Sequence, residues 1–363
     1  MRVLVAGGGT GGHLMPALAI AEALRRIDDQ VEPIIVGAER GVEKDILPTR
    51  EYRYYLLPAH PIYRSAWWRN VRSLVRLPKL IGATAAILNE ERPSVVVSTG
   101  GYAAGPIVWA ASRRGIPIVV QEQNALPGVT TRWLAARANQ IHLGFPEARQ
   151  RLKIRESTLV FDSGNPITPP PVPKPEKGIA RRALGIDEKT AVLLIIGGSQ
   201  GARAINRVVA DAIDRGALAN VTVVWGTGKT QWKEFRSYHR PPKRIVRAFW
   251  DPLAEAYAAA DLVVSRAGAM TTAELCAWGL PTVYVPLPHA AADHQTRNAK
   301  ALVEAGAGIR IAEGMLTTDV VVAEVQRLLE DGDRLALMAD AALSRARPHA
   351  SGDIAKRILA LAG

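Results

Sequence analysis

The sequence predicts an α/β protein of two doubly wound domains, each a parallel sheet covered by helices on both faces. Short apolar strands alternate with helical stretches from the first residues onward, the rhythm of βαβ units. That rhythm breaks once, in "GNPITPPPVPKPEKG" (164–178), where six prolines sustain neither ladder nor helix. It then restarts with the device that opened the chain, a buried strand ending in a glycine-rich turn that begins a helix, at Gly7 to Gly12 and again at Gly197 to Gly201. The length of 363 residues fits two domains of roughly 150 to 180 residues.

In order, "RVLVAGG" reads as strand, "MPALAIAEALRRI" as helix, "VEPIIVG" as strand, and "SVVVSTGG" and "PIVVQEQN" as further strands of a first domain over 1–163. The proline-rich stretch 164–178 is the expected linker. A second domain over 179–345 contains "AVLLIIGGSQGARAIN", "VTVVWGTG", "RIVRAF", "DLVVSRAGAMTTAELCAWG" and "PTVYVPLP". The segment 346–363, ending "IAKRILALAG", has helical spacing and could pack back across either domain, the N-terminal one included. Two Rossmann-like halves facing one cleft is the economical arrangement.

Hydrophobic residues make up 48% and charged residues 22% of the chain, the balance of a globular protein rather than a disordered one. Cys276 is the one cysteine, which excludes an intramolecular disulfide and zinc patterns of the CxxC kind and favours a reducing, cytoplasmic setting. "MRVLVAGG" runs straight from strand into turn with no charged and apolar leader before it, so no secretory signal is expected. No stretch reaches the roughly 18 apolar residues of a spanning helix. The formal charge of +12 suits an anionic partner: nucleic acid, an anionic membrane surface or a phosphorylated substrate.

Five glycines among the six residues Gly7 to Gly12 imply that something approaches the backbone closely. A strand, a glycine turn and a helix start gather free N–H groups and the positive end of a helix dipole, which favours phosphate or pyrophosphate. Gly7, Gly9 and Gly12 satisfy GxGxxG. A dinucleotide site would also want an acid at the end of the second strand, and Gly37 and Ala38 stand there, with Glu39 slightly late. That argues against a nicotinamide oxidoreductase. A non-enzymatic nucleic-acid binder would need a recognisable motif or interleaved stacking aromatics, and the sequence has neither. His13 follows Gly12 on the first turn of the helix, where the dipole keeps an imidazole neutral and available as a general base; the plain alternative is a packed or solvated histidine.

In the second half, "SRAGAMTTAEL" again runs from strand into helix, and Glu274 is expected within about the first turn. It reads either as dipole compensation or as a bidentate acceptor for ribose hydroxyls. "PHAAADHQTRNA" sets His294, Gln295 and Asn298 on one helical face, suited to sugar hydroxyls. Asp331 to Asp333 form a DxD-like string in "LLEDGDRL" that reads as a plain turn between helices.

With these motifs assembled, the chain closely resembles the bacterial lipid II-forming N-acetylglucosaminyltransferases, a GT-B glycosyltransferase family. The resemblance runs nearly the whole length through "GGGTGGHLMPALAIA", "STGGYAAGP", "QEQNALPG", "GNP", "GGSQGARAIN", "SRAGAMTTAEL", "GLPTVYVP" and "HQTRNA". It implies transfer of GlcNAc from UDP-GlcNAc, with inversion, to the C4 hydroxyl of the muramyl sugar of undecaprenyl-linked lipid I, with no metal or other cofactor. On the donor side it implies Ser199, Ala269, Met270 and Thr271 at the diphosphate and Glu274 at the ribose. Phe249, Trp250 and Leu253 would border the uracil, and Gln295 and Asn298 would contact the GlcNAc. On the acceptor side it implies Thr10, Gly11, Gly12 and Tyr102 near the pyrophosphate and His13, the catalytic base, with Asn124 at the muramyl sugar. After Asn-Pro the family usually has a hydrophobic residue and a phosphate-binding arginine; the chain keeps the first as Ile167 and departs at Thr168, and it departs again at His294, where some members carry glutamine.

Between Tyr52 and Asn89 there is no acidic residue. In "SAWWRNVRSLVRL" a helix would place Arg69, Arg72 and Arg76 on one face and Trp67 with Val71 and Leu74 on the other, followed by Pro78, expected to end or kink it, and Lys79. With Trp68 these residues suggest contact with an anionic membrane surface, and the polyprenyl-linked acceptor that the resemblance implies gives a location at the cytoplasmic face of the membrane.

Overall fold

The computed structural model describes residues 1–60, 77–288 and 293–363. The chain divides into two compact units, Met1–Thr168 with His349–Gly363, and Pro169–Pro348. The division falls inside the proline-rich stretch.

The first unit runs β1 (Arg2–Gly8), α1 (Gly11–Ile27), β2 (Glu32–Ala38), α2 (Glu43–Ile46), β3 (Arg53–Leu57), α3 (Leu77–Glu91), β4 (Val95–Gly101), α4 (Ala104–Ser112), β5 (Ile118–Glu122), α5 (Val129–Leu134), β6 (Gln140–Leu143) and β7 (Leu159–Phe161). Its seven strands form one parallel sheet in the order β3-β2-β1-β4-β5-β6-β7. Alternate residues of each strand point to opposite faces, and both faces are buried. Leu4, Ala6, Val96 and Val120 pack against α3, α4 and α5 through Leu88, Ile107 and Leu134. Val3, Val5, Val97 and Val119 pack on the other face against Leu14, Ile20 and Leu24 of α1.

The second unit runs α6 (Lys177–Ala183), β8 (Val192–Ile196), α7 (Arg203–Asp214), β9 (Thr222–Gly226), α8 (Trp232–Phe235), β10 (Arg244–Arg247), α9 (Ala254–Ala259), β11 (Leu262–Ser265), α10 (Ala269–Trp278), β12 (Thr282–Tyr284), α11 (His294–Glu304), β13 (Gly308–Arg310), α12 (Thr318–Leu329) and α13 (Gly332–Arg345). Its six strands are again all parallel, in the order β10-β9-β8-β11-β12-β13. The last helix, α14 (Ala350–Ala362), lies in the first unit, where Ile354, Ala355 and Ile358 join the core beside α1.

Four strands carried no reading in the sequence: β3, β6, β7 and β13. They sit toward the edges of their sheets and are short or polar, as in "RYYLL" and "QIHL". Trp67, Trp68, Arg69, Arg72 and Arg76 lie outside the described residues. Lys79 is exposed in α3. Pro78 is the second described residue of α3, and the segment it was expected to end or kink lies outside the described residues apart from Leu77. Asp331 caps α13, its carboxylate accepting from the Arg334 N–H at 2.9 Å, which gives that aspartate an ordinary structural use.

Candidate functional site

Each sheet reverses its strand order once, between β1 and β4 and between β8 and β11. Open α/β sheets take ligands outside the carboxyl ends of their strands at such points. Every candidate catalytic and binding residue of the two units follows the carboxyl end of a strand.

In the first unit two glycine turns interlock at the reversal. Gly7 pairs with Gly100 and Gly8 with Gly101. A Cβ on Gly101, whose φ is +83°, would stand 1.9 Å from the Gly8 carbonyl oxygen, so only glycine lets the turns touch.

His13 is fixed by this junction. It is the third residue of α1 and half-buried. Its Nδ1 lies 2.9 Å from the Thr99 carbonyl oxygen, and the Thr99 hydroxyl donates back to the His13 carbonyl at 2.8 Å. A carbonyl only accepts, so Nδ1 carries a hydrogen, and Nε2 is the nitrogen that can offer a lone pair. The Gln123 side chain donates to the same Thr99 oxygen at 2.8 Å. Gly100 runs directly beside the ring, with space for a Cβ only 3.0 Å from it.

Thr10 is the N-cap of α1, and it and Gly12 are exposed, with Gly11 half-buried. Tyr102 lies with its ring against Gly9, and its hydroxyl donates to the Arg40 carbonyl at 2.5 Å. Asn124 follows β5, held by the buried Glu122 carboxylate, which accepts from the Asn124 backbone and amide at 3.0 and 3.2 Å and from Gly128 N–H at 3.0 Å. Thr10 to His13, Tyr102 and Asn124 thus follow the carboxyl ends of the adjacent strands β1, β4 and β5, the first group at the start of α1.

The acid missing from the end of β2 arrives from elsewhere. Glu43, the first residue of α2, is fully buried, and its Oε1 accepts the Gly9 N–H. Cβ atoms on Gly8, Gly37 or Gly41 would stand 2.5, 2.6 and 1.7 Å from Glu43 side-chain atoms. Three glycines therefore admit one carboxylate. Sequence reasoning missed Glu43, and the signal was Gly37 standing where an acid was sought.

In the second unit the turn after β8 rests on the loop after β9. Ser199 is exposed and its carbonyl accepts from Lys229 N–H at 3.1 Å. A Cβ on Gly201, φ +80°, would stand 2.0 Å from the Thr227 carbonyl. After β10, Phe249 is 45% exposed with the Lys229 ammonium 5.2 Å from its ring centre. Trp250 is buried, 3% exposed, with Arg247 4.0 Å over its ring. Leu253 is half-buried at the start of α9.

Gly268 caps α10, and the ladder begins with Thr272 N–H donating to its carbonyl at 2.9 Å. Ala269, Met270 and Thr271 form the first turn, half-buried. Glu274 is the sixth helical residue, in the second turn rather than the first, so dipole compensation is not its use. It keeps some exposed surface, yet its carboxyl lies deep among protein atoms; burial raises its pKa, and a 2.8 Å hydrogen bond from the Tyr257 hydroxyl to Oε2 opposes that rise.

Gln295 and Asn298 both reach from α11 to the turn before α10. The Gln295 Oε1 accepts from the backbone of Ala267 at 3.3 Å and of Leu287 at 2.9 Å, leaving its amide nitrogen without a hydrogen bond among the described residues. Asn298 is fully buried, its amide donating to the Ala267 carbonyl at 3.2 Å. It ties α11 to the turn before α10. His294 begins α11 and is half-buried. Arg266 was also missed: it ties this edge together through the Val285 and Pro286 carbonyls at 3.1 and 3.2 Å and through Glu313 at 2.5 Å.

Two family models match, the glycosyltransferase family 28 N-terminal domain over 3–143 and C-terminal domain over 192–358. A UDP-N-acetylglucosamine--N-acetylmuramyl-(pentapeptide) pyrophosphoryl-undecaprenol N-acetylglucosamine transferase of Chlorobium phaeobacteroides is 40% identical over 370 residues, covering all of both chains. The chain belongs to this transferase family. The like-named protein of Desulforudis audaxviator is 38% identical over 372 residues, covering 100% of this chain and 99% of its own. A crystal structure of Acinetobacter baumannii MurG superposes with a TM-score of 0.78 at 26% identity, covering 99% of each chain. The two parallel-sheet domains and the glycosyltransferase class accord with the GT-B expectation.

Proposed function

We propose that the protein transfers GlcNAc from UDP-GlcNAc to the C4 hydroxyl of the MurNAc unit of undecaprenyl-pyrophosphoryl-MurNAc-pentapeptide, converting lipid I to lipid II. The first unit takes the acceptor, with Thr10 to Gly12 at its pyrophosphate and Asn124 at the muramyl sugar. The second unit takes the donor: Ser199 and the first turn of α10 meet the diphosphate, Glu274 the ribose, Phe249 and Leu253 the uracil, and Gln295 the GlcNAc.

The observation that carries this reading is the tautomer fixed at His13, with Nδ1–H committed to Thr99 and Nε2 left as the base. In the reaction Nε2 takes the proton of the C4 hydroxyl while the oxygen attacks the anomeric carbon; the bond from that carbon to the UDP oxygen breaks, and attack opposite the leaving group gives the β linkage. Such a base contributes about 10²- to 10⁴-fold. Charge then develops on the departing diphosphate, where N–H groups of the glycine turn and the dipole of α10 stabilise it.

A membrane-facing role for the first unit, toward anionic lipid, has support from described residues besides Lys79. The helices α3, α4 and α5 pack by their inner sides on one sheet face. Outward they expose Leu77, Ile81, Trp109 and Trp133, with Arg113 5.9 Å from the Trp109 ring and Arg137 5.2 Å from the Trp133 ring. Aromatic and aliphatic groups interleaved with cations suit an anionic interface, and no helix among the described residues is long and apolar enough to cross a membrane.

The test is transfer of labelled GlcNAc from UDP-GlcNAc to a prenyl-pyrophosphoryl-MurNAc-pentapeptide, with and without EDTA. Equal product in both is expected. UDP binding with no product in either condition would leave the donor site and remove the acceptor assignment.

A further inference from the structure

We propose that Tyr257 is the positioning residue that aims the Glu274 carboxylate at the nucleotide ribose, and so sets the preference for ribonucleotide over deoxyribonucleotide donors. This rests on the reading of Glu274 as the ribose acceptor.

Tyr257 sits in α9, a short helix that begins beside Leu253, the residue assigned to the uracil; its own N–H bonds the Leu253 carbonyl at 3.0 Å. Its side chain is buried, 4% exposed, and its ring lies 5.7 Å from that of Trp278. The hydroxyl donates to Glu274 Oε2 at 2.8 Å, whereas Oε1 makes no hydrogen bond among the described residues. A glutamate has three side-chain torsions, and one anchored oxygen removes most of that freedom. Oε1 and the remaining lone pair of Oε2 then face a diol in a fixed direction, both as acceptors. A short α9 thereby couples the base-bordering residue to the ribose-bordering one.

Protonation runs the same way. Burial and the neighbouring Glu274 hold the Tyr257 phenol well above its usual pKa, so it remains a donor. In return its hydrogen bond opposes the rise that burial imposes on Glu274, favouring the ionised, acceptor-only form. Tyr284 acts on Tyr257, Cys276 on Tyr284 and Arg345 on Cys276; of these groups only Tyr257 acts on Glu274.

The experiment measures dissociation constants of UDP and 2′-deoxy-UDP for the full chain and for Tyr257→Phe, Glu274→Ala and Glu274→Gln, with a melting curve for each. The unaltered protein should prefer UDP by roughly 10- to 100-fold, the worth of a hydrogen bond to a charged group. Glu274→Ala should bind both nucleotides alike. Tyr257→Phe should weaken UDP about tenfold with little change for 2′-deoxy-UDP, and the acid limb of UDP binding should move to higher pH. If Tyr257→Phe fails to fold, Glu274→Gln decides: the phenol still anchors the amide oxygen, so its preference should exceed that of Glu274→Ala. A preference in Tyr257→Phe equal to the unaltered protein's, or an equal loss for both nucleotides, overturns the positioning role while the ribose reading stands; so does a preference in Glu274→Gln no greater than in Glu274→Ala. A preference that survives in Glu274→Ala overturns the ribose reading, and the positioning role with it.

Discussion

The turns at Gly7–Gly12 and Gly197–Gly201 are alike in sequence and are held by opposite means. The first is held by charge: the buried Glu43 carboxylate accepts the Gly9 N–H, and the Tyr102 ring closes over the other side. The second is held by neutral groups. Ser199 and Gln200 offer their carbonyls to Lys229 N–H at 3.1 Å, Thr230 Oγ1 at 2.7 Å and Gln231 Nε2 at 3.3 Å. A turn that already contains a carboxylate is a poor seat for a dinucleotide pyrophosphate, because like charges repel and one of its donors is taken. In the proposed function Thr10 to Gly12, past that carboxylate, take the acceptor's anion and the turn supports His13. The second turn keeps no internal anion and suits the donor diphosphate. Similar glycine turns are thus held differently, and the difference is carried by a residue more than thirty positions away.

The comparison breaks most easily at its glycines. Gly101→Ala and Gly201→Ala each force a positive φ and a Cβ onto a carbonyl oxygen, and each should cost about 3 kcal/mol or more. Gly201→Ala should abolish UDP binding, whereas Gly101→Ala should abolish acceptor use with UDP binding retained; calorimetry with UDP and urea unfolding read both effects. Loss of UDP binding in Gly101→Ala would deny the division of labour. A smaller effect is expected at the charge. Glu43→Ala should raise the acceptor KM about tenfold, the value of one buried charged hydrogen bond, and leave the donor KM unchanged. Glu43→Gln keeps an acceptor for Gly9 and should recover most of the loss; a shift in donor KM with either variant would place Glu43 in a general folding role. The smallest effect is at the surface. Replacing Trp109 and Trp133 by serine should weaken binding to anionic vesicles several-fold, without altering UDP affinity. Unchanged vesicle binding would return those rings to ordinary solvent exposure.

Much of this was legible in the sequence where signals are local. Buried strands such as "VLLII" and "RVLVAGG", the two glycine turns and the helix starts that follow them are short-range patterns, and the sheets contain them in parallel order. What escaped is long-range. Glu43 reaches back over thirty residues to Gly9, Tyr257 over seventeen to Glu274, and Arg266 binds loops about twenty residues on. Such pairs have no spacing rule, since sheet order brings them together. The local partners of Trp250 and Asn298, Arg247 and the Ala267 carbonyl, were likewise not legible in the sequence.

The account turns on His13 as the base beside the first turn. The most direct measurement is single-turnover transfer by His13→Ala with saturating donor and acceptor, together with the UDP dissociation constant of the same variant. A loss of about 10²- to 10⁴-fold in rate at unchanged UDP affinity is the expected result. Near-normal turnover would contradict it and leave the fixed imidazole as a structural prop between the two glycine turns.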